Sequence, residues 1–367
     1  MADSQNTLLI TGVAGNLGSR LLQQLADFRI VGVDLAPPAT AGLWRFESLD
    51  LGEESSCDAL VALLRESQAT AVVHLAFVID PLRTGVLDLG RMWQINVSGT
   101  ARVMEAIAET NRMGGSIKKF IFPSSVSAYG SDLPRPVDEG APLQGHTLAY
   151  AIHKRVADEV VRERAEQLGE CRTYLLRPHI FVGASMQNYL VGALRGTPTG
   201  KGPLAAMLRR RGTRLPLILP RGGRHLQNKF QFVHVDDMAR LMAYILREAP
   251  ADAGITVMNV AGRGEPLSFG ECARIAHAKM LRLPTRWLCR LALRFAWDLG
   301  ISGVPPDSLP YIAGSYTMDT RRLNAFLGDK YEQIIQHTVR EALVDSFAAS
   351  PAATRATASA PSSVAAN

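Results

Sequence analysis

The chain predicts a doubly wound α/β fold, a parallel sheet with helices on both faces, followed by a smaller C-terminal lobe. Three observations lead there. Over the first 180 residues, short β-rich runs alternate with longer helical stretches. A glycine-rich turn, Thr11-Gly12-Val13-Ala14-Gly15-Asn16-Leu17-Gly18, directly follows the first of those runs. Beyond Arg177-Pro178 the alternation gives way to Gly- and Pro-rich connections at 196–203 and 215–223.

Taken in order, the strands are expected at Thr7–Thr11, Arg29–Asp34, Ala71–Leu75, Lys119–Ser124 and Thr173–Leu176. Helices are expected at Asn16–Asp27, Ser55–Ser67, Arg91–Asn111 and Ala149–Leu168, the last closed by Gly169. Further on, a helix over Val235–Arg247 should follow Phe232-Val233-His234, and Thr256–Val260 should return to extend the sheet. These elements divide the chain into a nucleotide-binding domain over 1–180 and a substrate-binding lobe over 181–345. A tail over 346–367 is rich in Ala, Ser, Pro and Thr, a composition that predicts disorder.

Bulk composition narrows the class. Of 367 residues, 47% are hydrophobic and 20% charged, as in an ordinary globular protein. No apolar run approaches membrane-spanning length and no N-terminal stretch reads as a signal peptide. Cys57, Cys171, Cys272 and Cys289 are scattered without metal-ligand spacing, so reduced thiols, no metal site and a cytoplasmic location are expected. The net charge of +6 is uneven: nine Lys or Arg and no Asp or Glu lie between Arg195 and Lys229. Such a segment suits an anionic substrate group, an acidic membrane surface or a nucleic acid, or is simply a solvated basic face.

The glycine turn sits between a strand and a helix, where a phosphate-binding turn must sit. Gly12 permits the tight bend, Gly15 lets backbone approach a pyrophosphate, and Gly18 lets the helix pack closely on the sheet. The helix N-terminus then offers N–H groups and partial positive charge to the phosphates. Asp34 closes the second strand 22 residues after Gly12, and no Lys or Arg follows until Arg45. A carboxylate there accepts the adenosine ribose hydroxyls and repels a 2′-phosphate, which selects NAD over NADP. Asp50, before Leu51, is placed to touch the adenine edge, and His74-Leu75-Ala76 to line the crevice.

Tyr150 and Lys154 lie four apart on a predicted helix and share a face, with Ile152, Val156 and Val160 on the other side. An ammonium beside the phenol would favour phenolate and allow proton exchange with a substrate hydroxyl near neutral pH. Ser125, at the C-terminal end of its strand, can bond the same oxygen, and ligands of open α/β sheets bind at that end. The chemistry indicated is hydride transfer at a secondary alcohol or ketone.

These segments, with Asn96-Val97-Ser98-Gly99-Thr100, Ser124-Ser125-Val126-Ser127-Ala128-Tyr129-Gly130, Leu176-Arg177-Pro178 and Phe232-Val233-His234-Val235-Asp236-Asp237, complete a pattern. From about residue 7 to about 330 the chain resembles an extended short-chain dehydrogenase/reductase of the NAD-dependent epimerase/dehydratase superfamily, with a Rossmann-type sheet. The resemblance implies that Ser125, Tyr150 and Lys154 are catalytic and that Asn96 supports the active-site water network. It implies that Gly12, Gly15, Asn16, Leu17, Gly18, Asp34, Asp50, Leu51, Leu75, Ala76, Tyr150, Lys154 and Pro178 contact NAD. A homodimer through the helices at Arg91–Asn111 and Ala149–Leu168 is expected on the same ground.

Departures from the pattern bear on the reaction. Sugar-nucleotide 4,6-dehydratases carry acidic residues just after the catalytic hydroxyl, where this chain has Val126 and Ser127. Dehydration is therefore disfavoured against epimerisation, oxidation or reduction. Nucleotide-sugar enzymes usually place an arginine just before the Phe-Val-His-Val segment, where this chain has Phe230-Gln231. Arg221, Arg224 or Lys229 is expected to substitute for it, Arg321 or Arg322 to supply a second phosphate contact, and Ser127 to touch the small-molecule substrate, for which an anionic group is expected. The rival reading is a hydroxysteroid- or dihydroflavonol-type alcohol dehydrogenase. A third, non-catalytic reading is a dinucleotide sensor or nucleic-acid scaffold, disfavoured because Tyr150 and Lys154 are both present. The Trp287–Trp297 stretch reads either as a peripheral membrane-contact helix or, by preference, as a core helix with snorkelling arginines.

Overall fold

The computed structural model describes residues 6–79, 86–186 and 188–348. Seven strands make the central sheet. Six come from the first half: β1 (Thr7–Thr11), β2 (Arg29–Asp34), β3 (Arg45–Ser48), β4 (Ala71–His74), β5 (Lys119–Pro123) and β6 (Arg172–Pro178). Then come β7 (Ile180–Val182), β8 (Leu217–Pro220), β9 (Lys229–Phe230), β10 (Phe232–His234) and β11 (Gly254–Val260). β11 returns to the sheet, giving the all-parallel order β11-β6-β5-β4-β1-β2-β3. The order reverses at β1, so a crevice opens beyond the carboxyl ends of β1 and β4.

β1, β4 and β5 are buried along their whole length, as both faces of a parallel sheet must be. One face is covered by the helices Asn16–Gln24 and Val235–Glu248, through Leu21, Leu22, Met238, Leu241 and Ile245. The other is covered by Ser56–Glu66, Gly99–Arg112 and Ala149–Arg164, through Leu60, Leu64, Val103, Ile107, Ala157 and Val161.

Several boundaries differ from the sequence expectation. The first helix stops at Gln24, not Asp27. The expected Arg91–Asn111 helix is an α-turn Leu89–Trp93, a π-turn Gln94–Ser98 and a helix Gly99–Arg112. The expected run to Leu168 tightens to a 3₁₀ turn at Ala165–Leu168. β3 carries no unbroken apolar run and was not read from sequence; it pairs with β2 at the sheet edge.

The catalytic-helix face is also revised. Ala151, His153, Lys154, Ala157, Asp158 and Val161 are its buried residues, whereas Ile152, Val156 and Val160 remain half-buried. The small Ala151 and Ala157 let this helix settle on the sheet by its Lys154 face. Asp158, 0% exposed, is bonded there by Arg177 Nε and Nη2 at 2.9 and 2.8 Å.

A further core cluster joins residues beyond β6, among them Leu190, Leu194, Leu217, Phe230, Phe269 and Tyr316, to Val126, Tyr129, Leu148 and Ala151. β12 (Leu267–Ser268) pairs with β9, and β13 (Met280–Leu283) pairs with β8. A capping box at Thr338 and Glu341 starts the helix Val339–Asp345. Ser346, assigned to the tail from sequence, is buried and its Oγ accepts from Gly183 N–H at 2.8 Å, so packing continues past 345. Residues 349–367 of that tail lie outside the described residues.

Candidate active site

The glycine turn closes because each glycine meets a specific constraint. Gly12 has φ +71°, and a Cβ on it would lie 2.5 Å from Ala76 N. A Cβ on Gly18 would lie 2.5 Å from Val13 O, which is how closely the first turn of the helix Asn16–Gln24 packs on the turn after β1. Asp34 holds the turn from the next strand: its carboxylate accepts from Ala14 N–H at 3.0 Å and Leu35 N–H at 2.8 Å. Asn16 Nδ2 donates to Ser185 Oγ at 3.0 Å, while Asn16 Oδ1 is buried without a hydrogen-bond partner. Leu17 packs on the core, and Leu75 N–H and Ala76 N–H bond Thr11 O and Oγ1 at 3.0 and 3.3 Å.

A strand-end carboxylate, a turn kept free of side chains and an unsatisfied amide oxygen at a helix N-terminus fit an adenine dinucleotide without a 2′-phosphate. Asp50 is less available: its carboxylate accepts from Gly52 N–H at 2.8 Å and pairs with Arg91. Leu51 is buried, its carbonyl accepting from Arg102, and Pro178 ends β6 beside Val260.

Ser125 follows β5 with extended backbone, and its Oγ caps the turn Val126–Tyr129 by accepting from Ser127 N–H at 3.1 Å. Tyr150 lies near enough to Ser125 for that hydroxyl to favour its phenolate, and its ring meets Phe77 edge-on at 6.0 Å. The loop before Tyr150 is pinned by Tyr311, 165 residues from His146 in sequence. Tyr311 Oη donates to His146 O at 2.7 Å, and His146 N–H donates back to Tyr311 Oη at 2.9 Å. The structure thus brings Ser125, Tyr150 and Lys154 together at the carboxyl end of the sheet.

The electrostatics differ from expectation. Lys154 is 4% exposed; its Nζ donates to Pro123 O at 2.7 Å and sits over the Phe77 ring, 3.6 Å from its centroid. Burial pulls it down to about 7, with the Asp158 carboxylate opposing. Burial also pushes the Tyr150 phenol up to about 12, with the Ser125 hydroxyl opposing. The expected acidified phenol is therefore absent from this geometry, because the lysine nitrogen is held on a carbonyl and not aimed at the phenol. Burial likewise holds His74 down to about 3, so it is a neutral relay between Thr11 Oγ1 (2.6 Å) and Thr100 Oγ1 (3.0 Å).

Asn96 is fully buried on the π-turn. Its Oδ1 accepts from Val78 N–H at 2.6 Å and its Nδ2 donates to Val78 O at 3.0 Å and faces His153 Nδ1 at 3.2 Å. It positions the segment carrying Phe77. Phe77 itself was missed from sequence, although it directly follows His74-Leu75-Ala76.

The expected substrate contacts are dispersed by comparison. Ser127 is half-buried behind Ser125. Arg221, Arg224 and Lys229 are exposed, without ion pairs among the described residues. Arg321 has a 91% exposed side chain paired with Asp319. The position of the missing arginine is filled structurally: Gln231 Oε1 accepts from Met318 N–H at 2.8 Å and its Nε2 donates to Met318 O at 3.3 Å. One group of potential metal ligands exists among the described residues, His234, Asp237 and His337. Its carboxylate is already bonded by His337 and Arg240, and the two imidazoles stack at 3.9 Å, a geometry that does not aim both at one ion.

The chain is similar to known proteins in sequence and in fold. The chain is 27% identical over 212 residues to a UDP-glucose 4-epimerase of Erwinia amylovora, covering 55% of this chain and 61% of that relative. It thus spans about three-fifths of the length of that relative. Among solved structures, MoeE5 in complex with UDP-glucose and NAD matches with TM-score 0.63 and 21% identity over 96% of this chain and 100% of that one. DesIV, a dTDP-glucose 4,6-dehydratase from Streptomyces venezuelae, matches equally well, with TM-score 0.63 and 21% identity over 93% and 95%. Overall shape therefore does not separate epimerisation from dehydration. The family model for NAD dependent epimerase/dehydratase matches residues 8–261, more than half of the sequence. The chain belongs to the NAD-dependent epimerase/dehydratase family, whose cofactor is NAD.

Proposed function

We propose that the protein transfers a hydride at a secondary hydroxyl of a nucleotide sugar, with epimerisation at that carbon as the net result. The observation that carries this reading is the grouping of Ser125, Tyr150 and Lys154 around Phe77 and Pro123, at the sheet end toward which the glycine turn opens. Gly12, Gly15, Asn16 and Gly18 would hold the phosphates of NAD, and Asp34 its adenosine ribose; the bound cofactor would supply reversible hydride acceptance. Ser125 orients the substrate hydroxyl, and Tyr150 exchanges the proton with that oxygen.

A phenol near 12 is protonated at neutral pH, so Tyr150 is ready to donate to a ketone oxygen. To accept a proton it needs the Lys154 ammonium redirected from Pro123 toward the phenol. Val126, buried where dehydratases place an acid, supports epimerisation over elimination. A homodimer through Gly99–Arg112 and Ala149–Arg164, a division near residue 180 and a cytoplasmic site complete the reading; sedimentation tests the first. A dehydrogenase of apolar alcohols is a second reading, favoured by Gln231 being locked to Met318 where a diphosphate-binding arginine would stand.

The test incubates the protein and NAD with UDP-glucose, UDP-galactose and UDP-glucuronic acid, following products by chromatography and reduced cofactor by absorbance. Epimer formation without accumulated reduced NAD is expected, with Tyr150→Phe slower by roughly 10²–10⁴-fold. Wild-type turnover in Tyr150→Phe, or stoichiometric NAD reduction by apolar alcohols alone, would overturn it.

A further inference from the structure

The sequence preference for a buried Trp287–Trp297 helix fails in the structure. The helix Arg286–Asp298 buries only Cys289, which sits in a small cluster with Leu309 and Ala313. Trp287, Leu291, Phe295 and Leu299, spaced four apart, are 67%, 51%, 66% and 44% exposed. Arg286, Arg290 and Arg294, each one residue earlier, run beside them as a parallel exposed stripe. The helix is amphipathic in the outward direction, because its anchoring contact is too narrow to cover an apolar side this wide.

We propose that this helix and the basic segment packed beside it seat the protein on a bilayer surface containing anionic lipid. Residues 272–297 hold six Lys or Arg and no Asp or Glu, and residues 195–229 hold nine and none. The fold joins the two segments: β13 pairs with β8, and Gly200 and Gly202 N–H groups bond Ile301 O and Gly300 O at 3.0 Å. Met280 and Leu281 of β13 add exposed apolar surface at 44% and 45%. An open cleft of about 500 Å³ beside the helix combines Trp287 and Trp297 with Arg290 and Arg294. Indoles beside guanidinium groups suit the boundary between headgroups and acyl chains.

Among the described residues, Asp307 and Asp298 pair with the stripe's Arg290 and Arg294 at 2.9 and 2.8 Å. Those pairs are exposed and of little worth, so lipid phosphates can replace them. A second copy of the chain would bring the same basic surface against itself. A polyanion alone would leave Leu291, Phe295 and Leu299 in water. An anionic bilayer satisfies both stripes.

The full chain is sedimented with phosphatidylcholine vesicles and with vesicles also containing phosphatidylglycerol, with tryptophan emission recorded. Binding to the anionic vesicles alone, with a blue shift, is expected. Neutralising Arg286, Arg290 and Arg294 to Gln should weaken it by roughly fivefold per residue at low salt. The exposed changes Trp287→Ser and Phe295→Ser should abolish it while NAD binding persists, which reports an intact fold. No binding to anionic vesicles, binding that both variant sets retain, or a dimer or nucleic-acid complex lost in Phe295→Ser without any lipid binding would each overturn the proposal.

Discussion

Replacing Lys154 by Met should raise stability at neutral pH while removing activity. The lysine is 4% exposed and burial lowers it from 10.5 to about 7. At roughly 1.4 kcal/mol per unit, that shift amounts to about 5 kcal/mol of cost for keeping the ammonium in the fold. Below about pH 7 both folded and unfolded chains carry the proton and the cost is fully present. Between about 7 and 10.5 the unfolded chain binds more protons, so stability climbs with pH; above 10.5 the cost is gone.

The cost is therefore about 4 kcal/mol at pH 7 and under about 1 kcal/mol at pH 10. Methionine fits beside Phe77 and Phe122, the rings that Nζ now faces at 3.6 and 4.8 Å. It also leaves Pro123 O without its lysine donor, a loss of about 1–3 kcal/mol. Lys154→Met should thus gain about 1–3 kcal/mol at pH 7 and lose that advantage by pH 10. Urea unfolding of both proteins across that range measures the difference, in which all other titrating groups cancel. A variant less stable than wild type at pH 7, or a difference that does not change with pH, would refute the reasoning.

Two further outcomes follow from contacts elsewhere. Asp158→Ala strands a guanidinium that is 0% exposed, retaining only Tyr129 Oη at 2.8 Å and Glu139 O at 2.9 Å. The expected loss is about 3–5 kcal/mol in urea unfolding, largely recovered in Asp158→Ala/Arg177→Met; a loss under about 1 kcal/mol would contradict a buried pair. Gly18→Ala puts a methyl 2.5 Å from Val13 O and 2.8 Å from Gly12 O, both backbone. Displacing the helix N-terminus should cost about 1–3 kcal/mol of stability and weaken NAD binding by at least about tenfold, read by calorimetric titration. Unchanged affinity would mean the turn does not hold the phosphates.

Local rules carried most of the first half. Glycine spacing, strand-end Asp34 and Ser125, and the four-residue step from Tyr150 to Lys154 are short-range patterns, so β1, β2, β4, β5, β6 and the site they frame were legible without coordinates. The return of the 256–260 segment to the sheet was legible too, and it forms β11. Charge and exposure were not. Whether Lys154 faces the phenol or Pro123 depends on a carbonyl 31 residues away, and whether Asp158 points inward depends on Arg177 across the sheet. The sequence marked an apolar and basic stretch at 287–297, but such a stretch has no inherent direction. Only the packing of Cys289 on Leu309 and Ala313 turned it toward solvent. The sequence by itself determined which groups occur at which spacing; desolvation and pairing, which are sums over distant segments, belonged to the tertiary structure.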